Sequence, residues 1–172
     1  MLGFMPPDDV LLAIGRLVIC FDQLEYWVNT GIIEGSHVTG AAEQAKTSGW
    51  GFEARVGRLE SAFTKAESNG WITPDRVLGG PWRLLLHKLQ EVSQRRNDLI
   101  HGVTMSLVKT AGESIHAKFN PKSGRRLELK AADIDDLCQT ARRYAEPLEV
   151  TVLNLCLAKQ AKVIERPSGW MS

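Results

Sequence analysis

Cysteine is scarce in this sequence, and the three that occur, Cys20, Cys138 and Cys156, are scattered. An odd count without ligand spacing predicts reduced thiols and no bound zinc. Long apolar runs are missing too. The longest, residues 10–21 (interrupted by Arg16) and 148–158, are about half the ~20 residues that a membrane-spanning helix needs. The opening MLGFMPPDDV has no basic segment, so no secretory signal is expected. There is no Gly-x-Ser-x-Gly elbow, no phosphate-cradling glycine loop and no dinucleotide fingerprint. Aromatic residues are only 7% and do not alternate with basic ones, which argues against a single-strand-binding platform. These absences leave a cytoplasmic protein without metal, cofactor or membrane as the expectation.

What is present suits a globular chain. At 172 residues and 44% apolar content, folding should bury roughly 70% of the surface that the unfolded chain exposes. The 24% of charged residues is ordinary and excludes wholesale disorder. The net charge of +1 is unevenly spread. Residues 1–82 carry 6 basic and 10 acidic side chains, residues 83–130 carry 10 and 4, and residues 131–172 carry 5 and 6. A basic middle allows a polyanion site there.

Four stretches have helical period. The first opens after Pro6-Pro7-Asp8-Asp9 and places Val10, Ile14, Leu17, Phe21, Leu24 and Val28 on one face. The second carries Phe52, Val56, Leu59, Phe63 and Ala66 and stops at Asn69-Gly70, a left-handed cap signal. The third follows the breaker Gly79-Gly80-Pro81, with Trp82, Leu85, Leu89, Val92, position 96 and Leu99 as its stripe. The fourth opens near Asp133 with Ile134, Leu137, Ala141, Tyr144, Leu148, Val152 and Leu155, and Pro147 inside it predicts a kink or a break.

Between the third and fourth helices the period shortens to two. Val103, Met105 and Leu107, then Ile115, Ala117 and Phe119, then Leu127 and Leu129 alternate with polar neighbours. Ala111-Gly112-Glu113 and residues 120–124 are turn-formers between them. The fold expected is mainly α: an antiparallel four-helix up-and-down bundle, one domain over residues 1–165, with a small β-meander at about 103–130 and a tail at 166–172.

Two polar residues interrupt the apolar stripes. Glu25 lies seven residues from Val18 and from Ile32, at a slot where an aliphatic side chain is expected. A half-buried carboxylate needs a cation or hydrogen bonds, and Arg55 or Arg58 of the second helix would supply an ion pair. Arg96 shares a heptad slot with Leu89 and Trp82, so a guanidinium occupies a core position. Arginine grips phosphates and carboxylates with a rigid fork. The local string is Arg96-Asn97-Asp98-Leu99-Ile100-His101-Gly102. Asn97 and His101 stack at i and i+4. Arg96 and His101 stand roughly 140° apart on an ideal helix, so they meet only if the arginine curls round or two chains share the site. Gly102 reads as the helix cap, placing His101 in the last turn, where the helix dipole suits a cation. Histidine, arginine and an amide make an acid–base kit for phosphodiester cleavage. On the residues alone, a purely structural helix-end cluster is an equal reading.

Arg96-Asn97 followed by three residues and His101 resembles the Arg-polar-x-x-x-His motif of the HEPN superfamily. The first helix, with Phe21-Asp22-Gln23-Leu24-Glu25 before Trp27, is similar to that family as well, and so is the hairpin after His101-Gly102. At the level of helix order the resemblance covers about residues 8–160. It implies a metal-independent endoribonuclease, of the kind found as toxins of toxin–antitoxin, phage-defence or CRISPR-linked systems, working as a homodimer with two motifs facing one cleft. By that resemblance His101 acts on the ribose 2′-hydroxyl or the leaving oxygen. Arg96 stabilises the phosphorane charge and Asn97 orients the histidine or a phosphate oxygen, with Glu25 and Asp98 supporting. The products would be a 2′,3′-cyclic phosphate and a 5′-hydroxyl. An antitoxin or nucleotidyltransferase partner would accompany such an enzyme.

The same superfamily contains members without nuclease activity. The alternative is therefore a catalytically silent dimerisation or interaction module in which Arg96 and Glu25 form structural ion pairs. Lys118, Lys122, Arg125, Arg126 and Lys130 on the meander could hold RNA phosphates, or simply form its solvated face. His37, His87 and His116 are scattered and read as structural, and Trp50, Trp71 and Trp82 read as core anchors.

Overall fold

In a computed structural model, the placement of residues 5–36, 46, 49–72, 82–101, 103–108, 114–121 and 124–165 is described. The separators expected at 73–75, 79–81 and 111–113, together with Gly102, Lys122 and the tail 166–172, lie outside the described residues. Four helices and three strands make up the described fold: α1 (Asp8–Gly35), α2 (Phe52–Ser68), α3 (Trp82–Ile100), β1 (Val103–Val108), β2 (Ser114–Phe119), β3 (Arg126–Glu128) and α4 (Ala131–Glu165). The protein is mainly helical, with a small antiparallel sheet between α3 and α4. Among the described residues no helix is long and apolar enough to cross a membrane.

The chain divides into two compact units, each assembled from separated stretches of sequence. Unit 1 takes residues 1–23 and 89–143, and unit 2 takes residues 24–88 and 144–172.

Unit 2 contains all of α2 and parts of α1, α3 and α4. Its buried side chains include Leu24, Val28 and Ile32 of α1, the whole expected stripe of α2, and Leu148, Val152 and Leu155 of α4. Phe63 meets the Trp82 ring edge to face at 5.7 Å. α2 ends as its sequence predicts. Gly70 adopts φ 68° and its N–H donates to the Glu67 carbonyl, while the Trp71 N–H donates to that of Ala66. These two bonds form a Schellman cap, and only glycine reaches that φ without strain.

At Gly31 and Gly35, one turn apart on α1, neighbouring side chains and backbone of unit 2 come close against the helix. A Cβ on Gly35 would fall 2.8 Å from the Ala62 Cβ and 3.0 Å from the Ala62 backbone, so the helix itself would have to move. Gly35→Ala should therefore destabilise the protein by about 1–3 kcal/mol in urea unfolding, the usual cost of overpacking, despite alanine's better helix propensity. A stabilised variant would contradict this packing.

Unit 1 holds the sheet. The strands pair in the order β1-β2-β3, with Met105 opposite Ala117 and Lys118 opposite Leu127. The β2–β3 turn is closed by the Asn120 N–H donating to the Arg125 carbonyl, and Gly124 takes a left-handed φ of 69°. Ala117, Leu129, Ile134, Leu137 and Ala141 are buried here, as are Val10, Ala13, Leu17 and Phe21 of α1 and Leu89, Val92 and Leu99 of α3.

Two expectations need correction. Cys20 and Cys138, both buried, are joined as a disulfide with Cα atoms 6.0 Å apart, leaving only Cys156 as a free thiol. The pairing links residues 118 apart in sequence, which no local spacing could announce. Thiol titration of the denatured, unreduced protein should thus count one reactive group per chain, and a count of three would overturn the bond. Of the kink or break expected at Pro147, the break is absent: α4 runs from Ala131 to Glu165 without interruption. A proline deprives only the carbonyl four residues earlier of its donor. That residue is Arg143, which is exposed, so water can serve its carbonyl.

Candidate functional site

The last turns of α3 gather the motif residues. α3 ends at Ile100, and His101 is the first residue beyond it rather than a member of the final turn. Its backbone N–H still donates to the Asn97 carbonyl at 3.0 Å, which continues the helical hydrogen-bond pattern by one residue. Arg96, at the polar slot of the α3 stripe, is half-buried. Its guanidinium carbon stands 5.5 Å from the centre of the Phe21 ring, a cation–π distance.

The 140° between Arg96 and His101 is closed by the arginine curling round the helix. One nitrogen, Nη1, donates to Asn97 Oδ1 at 3.2 Å and reaches His101 Nε2 at 3.5 Å. Arginine has only donors, so a hydrogen bond at that contact needs the lone pair of an unprotonated Nε2. Asn97 and Arg96 are half-buried and His101 is exposed, so the imidazole can be reached from solvent. Two buried polar atoms in this stretch, Arg96 Nε and Ser93 Oγ, have no hydrogen-bond partner. Arg96 makes no ion pair with any carboxylate among the described residues.

Asp98 behaves differently from its neighbours. Its side chain is 4% exposed and accepts from Asn120 Nδ2 at 2.7 Å and from Arg125 Nη1 at 3.4 Å. It fastens the β2–β3 turn to α3. Of the basic cluster on the meander, Arg125 is engaged by Asp98, and Lys130 lies 3.7 Å from Glu128. Arg126 is exposed on β3, and Lys118 is half-buried on β2.

Glu25 belongs to unit 2, where Arg55 Nη2 donates to its Oε2 at 2.6 Å, and Arg55 also reaches Asn29 Oδ1 at 3.4 Å. The structural ion pair anticipated from the stripe is therefore present. In the same unit Lys159 Nζ pairs with Glu34 at 3.1 Å. The nearby Cys156 thiol is pushed up from its ordinary pKa, first by burial and then by the charge of Glu34. A raised thiol pKa opposes nucleophilic use of this cysteine.

A cavity of about 250 Å³ also opens on unit 1, lined by residues of α3, β3 and the start of α4. Sequence reasoning did not find it, because its walls come from three separated stretches. Among the described residues, no group of three or more His, Cys, Asp or Glu side chains could hold a metal ion. Comparisons with protein-family models, with curated proteins and with solved structures find no match to this chain.

Proposed function

We propose that this protein is a metal-independent RNA endonuclease of the HEPN type. The observation that carries the reading is the convergence of Arg96, Asn97 and His101 through the single nitrogen Nη1. The reading takes the four helices as an antiparallel up-and-down bundle, and the active form as a cytoplasmic homodimer whose two motifs share a cleft.

The chemistry follows from the groups present. His101 Nε2, holding a lone pair, takes the proton of a ribose 2′-hydroxyl. The freed oxygen attacks the adjacent phosphorus, and the P–O5′ bond breaks. The leaving 5′-oxygen takes a proton from an imidazolium, either this one or the partner's. The products are a 2′,3′-cyclic phosphate and a 5′-hydroxyl, with no change in oxidation state. Arg96 turns its donors from His101 to the phosphorane oxygens, where a fixed guanidinium lowers the barrier most. Asn97 Oδ1 keeps the arginine in place beforehand. Glu25, paired with Arg55, supports this function through the fold.

The silent-module reading expects Arg96 to be neutralised by a carboxylate. The guanidinium has an aromatic face, an amide oxygen and an imidazole around it instead, which favours the nuclease. Purified protein incubated with mixed cellular RNA in excess EDTA should generate fragments ending in cyclic phosphates. RNA left intact by the homodimer, across structured and single-stranded substrates, would refute the assignment.

A further inference from the structure

The cavity in unit 1 has a mixed wall that neither the motif nor the sheet explains. Leu99, Leu127 and Ile134 contribute apolar surface, Arg95, Arg125 and Arg126 contribute guanidinium groups, and the acids are Asp98, Glu128 (3.7 Å from Lys130) and Asp133 at the start of α4. Two of the arginines already face carboxylates: Arg125 reaches Asp98 and Arg95 reaches Asp136, each at 3.4 Å. Arg126 and Asp133 are both exposed and have no side-chain partner among the described residues. An opposite pair of unpartnered charges beside the apolar part of one cavity suits a flat, polar-edged ligand.

Its place relative to the motif follows from helix geometry. Arg95, Asp98 and Leu99 fall within a sector of roughly 100° on α3, while Arg96 and Asn97 point about 100° and 200° away from Arg95. The cavity and the Arg96–His101 pair thus flank the same helix end, on neighbouring sectors of it. A strand cleaved at His101 would place a neighbouring nucleotide there, not the reacting ribose. At about 250 Å³ the cavity is slightly below the roughly 300 Å³ at which ordinary small-molecule sites begin, so it suits a small flat ligand.

We propose that this cavity is a guanosine subsite that selects the base next to the cleaved phosphate. The proposal rests on the nuclease reading only for the position of that phosphate. Guanine is the base whose two edges each match a forked partner. Its N1–H and N2–H donate side by side to a carboxylate, and its O6 and N7 accept side by side from a guanidinium. In single-stranded RNA both edges are free to be read. Asp133 takes the first edge and Arg126 the second, with Leu127 and Leu99 against the ring face. Adenine offers one exocyclic donor beside an acceptor, so Asp133 would meet a lone pair.

The test measures binding rather than cleavage. His101→Ala protein, expected to cut too slowly to consume the probe, is titrated by fluorescence anisotropy with a uridine oligomer carrying one central guanosine. The same oligomer with adenosine at that position, and the all-uridine oligomer, serve as references. The guanosine oligomer should bind about tenfold or more tightly than the adenosine one, the discrimination of one good bidentate pair. Asp133→Asn should erase that preference while the all-uridine oligomer binds at least as well as before, and Arg126→Ala should erase it too. Equal binding of the guanosine and adenosine oligomers, or a preference that survives Asp133→Asn, would overturn the subsite. Displacement of the oligomer by free guanosine monophosphate at the same concentration would overturn its assignment to an RNA strand. A guanosine preference in a protein whose wild type cuts nothing would keep the subsite and sink the nuclease. Cleavage without the preference would do the reverse.

Discussion

His101→Ala protein should cut RNA about 10²–10⁴-fold more slowly than wild type, the usual contribution of a positioned acid–base group, while unfolding at the same urea concentration. His101 is exposed and lies one residue past the helix, so its ring carries little packing. Surface changes of that kind stay within about 0.5 kcal/mol. Arg96→Ala should cost about 10²–10³-fold through lost charge stabilisation. Its stability loss should be about 1 kcal/mol, the scale of one cation–π contact with Phe21. Arg96→Lys should rescue little, because an ammonium lacks the fork that would grip two phosphorane oxygens at once. A structural module predicts the opposite split: no cleavage to lose, and a large drop in stability when Arg96 is removed. Single-turnover cleavage and urea unfolding of the same preparations read both quantities, and full activity in either alanine variant would sink the mechanism.

Periodicity made the helices legible, because each apolar stripe is a local property of its own segment. The α2 stripe is buried along its whole length, and Gly70 caps that helix where Asn69-Gly70 announced it. The change to period two announced the sheet. Glu25 was legible for a subtler reason: a carboxylate in an apolar slot demands a cation, and few arginines of the next helix could reach it. Arg55 is the one that does. Contacts between distant segments were not legible. Nothing near Cys20 points to Cys138, and nothing near Asp98 points to Asn120, since both pairings are made only when the unit folds. The meeting of Arg96 with His101 was half legible. Helix geometry posed the angular problem, but the length of the arginine side chain solves it, and its rotamer is set by Phe21 and Asn97.

Asp98 separates structure from chemistry within one turn of α3. It sits between Asn97 and His101 in sequence, yet it faces the β2–β3 turn and is almost fully covered. Asp98→Ala would remove the carboxylate that accepts from the Asn120 amide at 2.7 Å and faces Arg125, whose side chain is 62% exposed, at 3.4 Å. The cost should be about 1–3 kcal/mol, most of it from losing the shorter bond to a buried carboxylate. In a chain of this length that lowers the melting temperature by roughly 2–4 °C for each kcal/mol. Asp98→Asn should lose less, since an amide oxygen still accepts from Asn120. Arg125→Ala should lose least, because the carboxylate keeps its shorter bond. A descending loss in thermal unfolding, from Asp98→Ala through Asp98→Asn to Arg125→Ala, is the signature of a carboxylate whose main task is holding a turn. If Arg125→Ala proved the most damaging of the three, the ion pair rather than the amide bond would be what fastens the sheet to α3. The fall in stability should also accompany any fall in cleavage for Asp98→Ala, whereas for His101→Ala cleavage falls alone. That dissociation between residues three apart follows from burial: Asp98 is covered and holds the β2–β3 turn, whereas His101 lies exposed just past the end of α3.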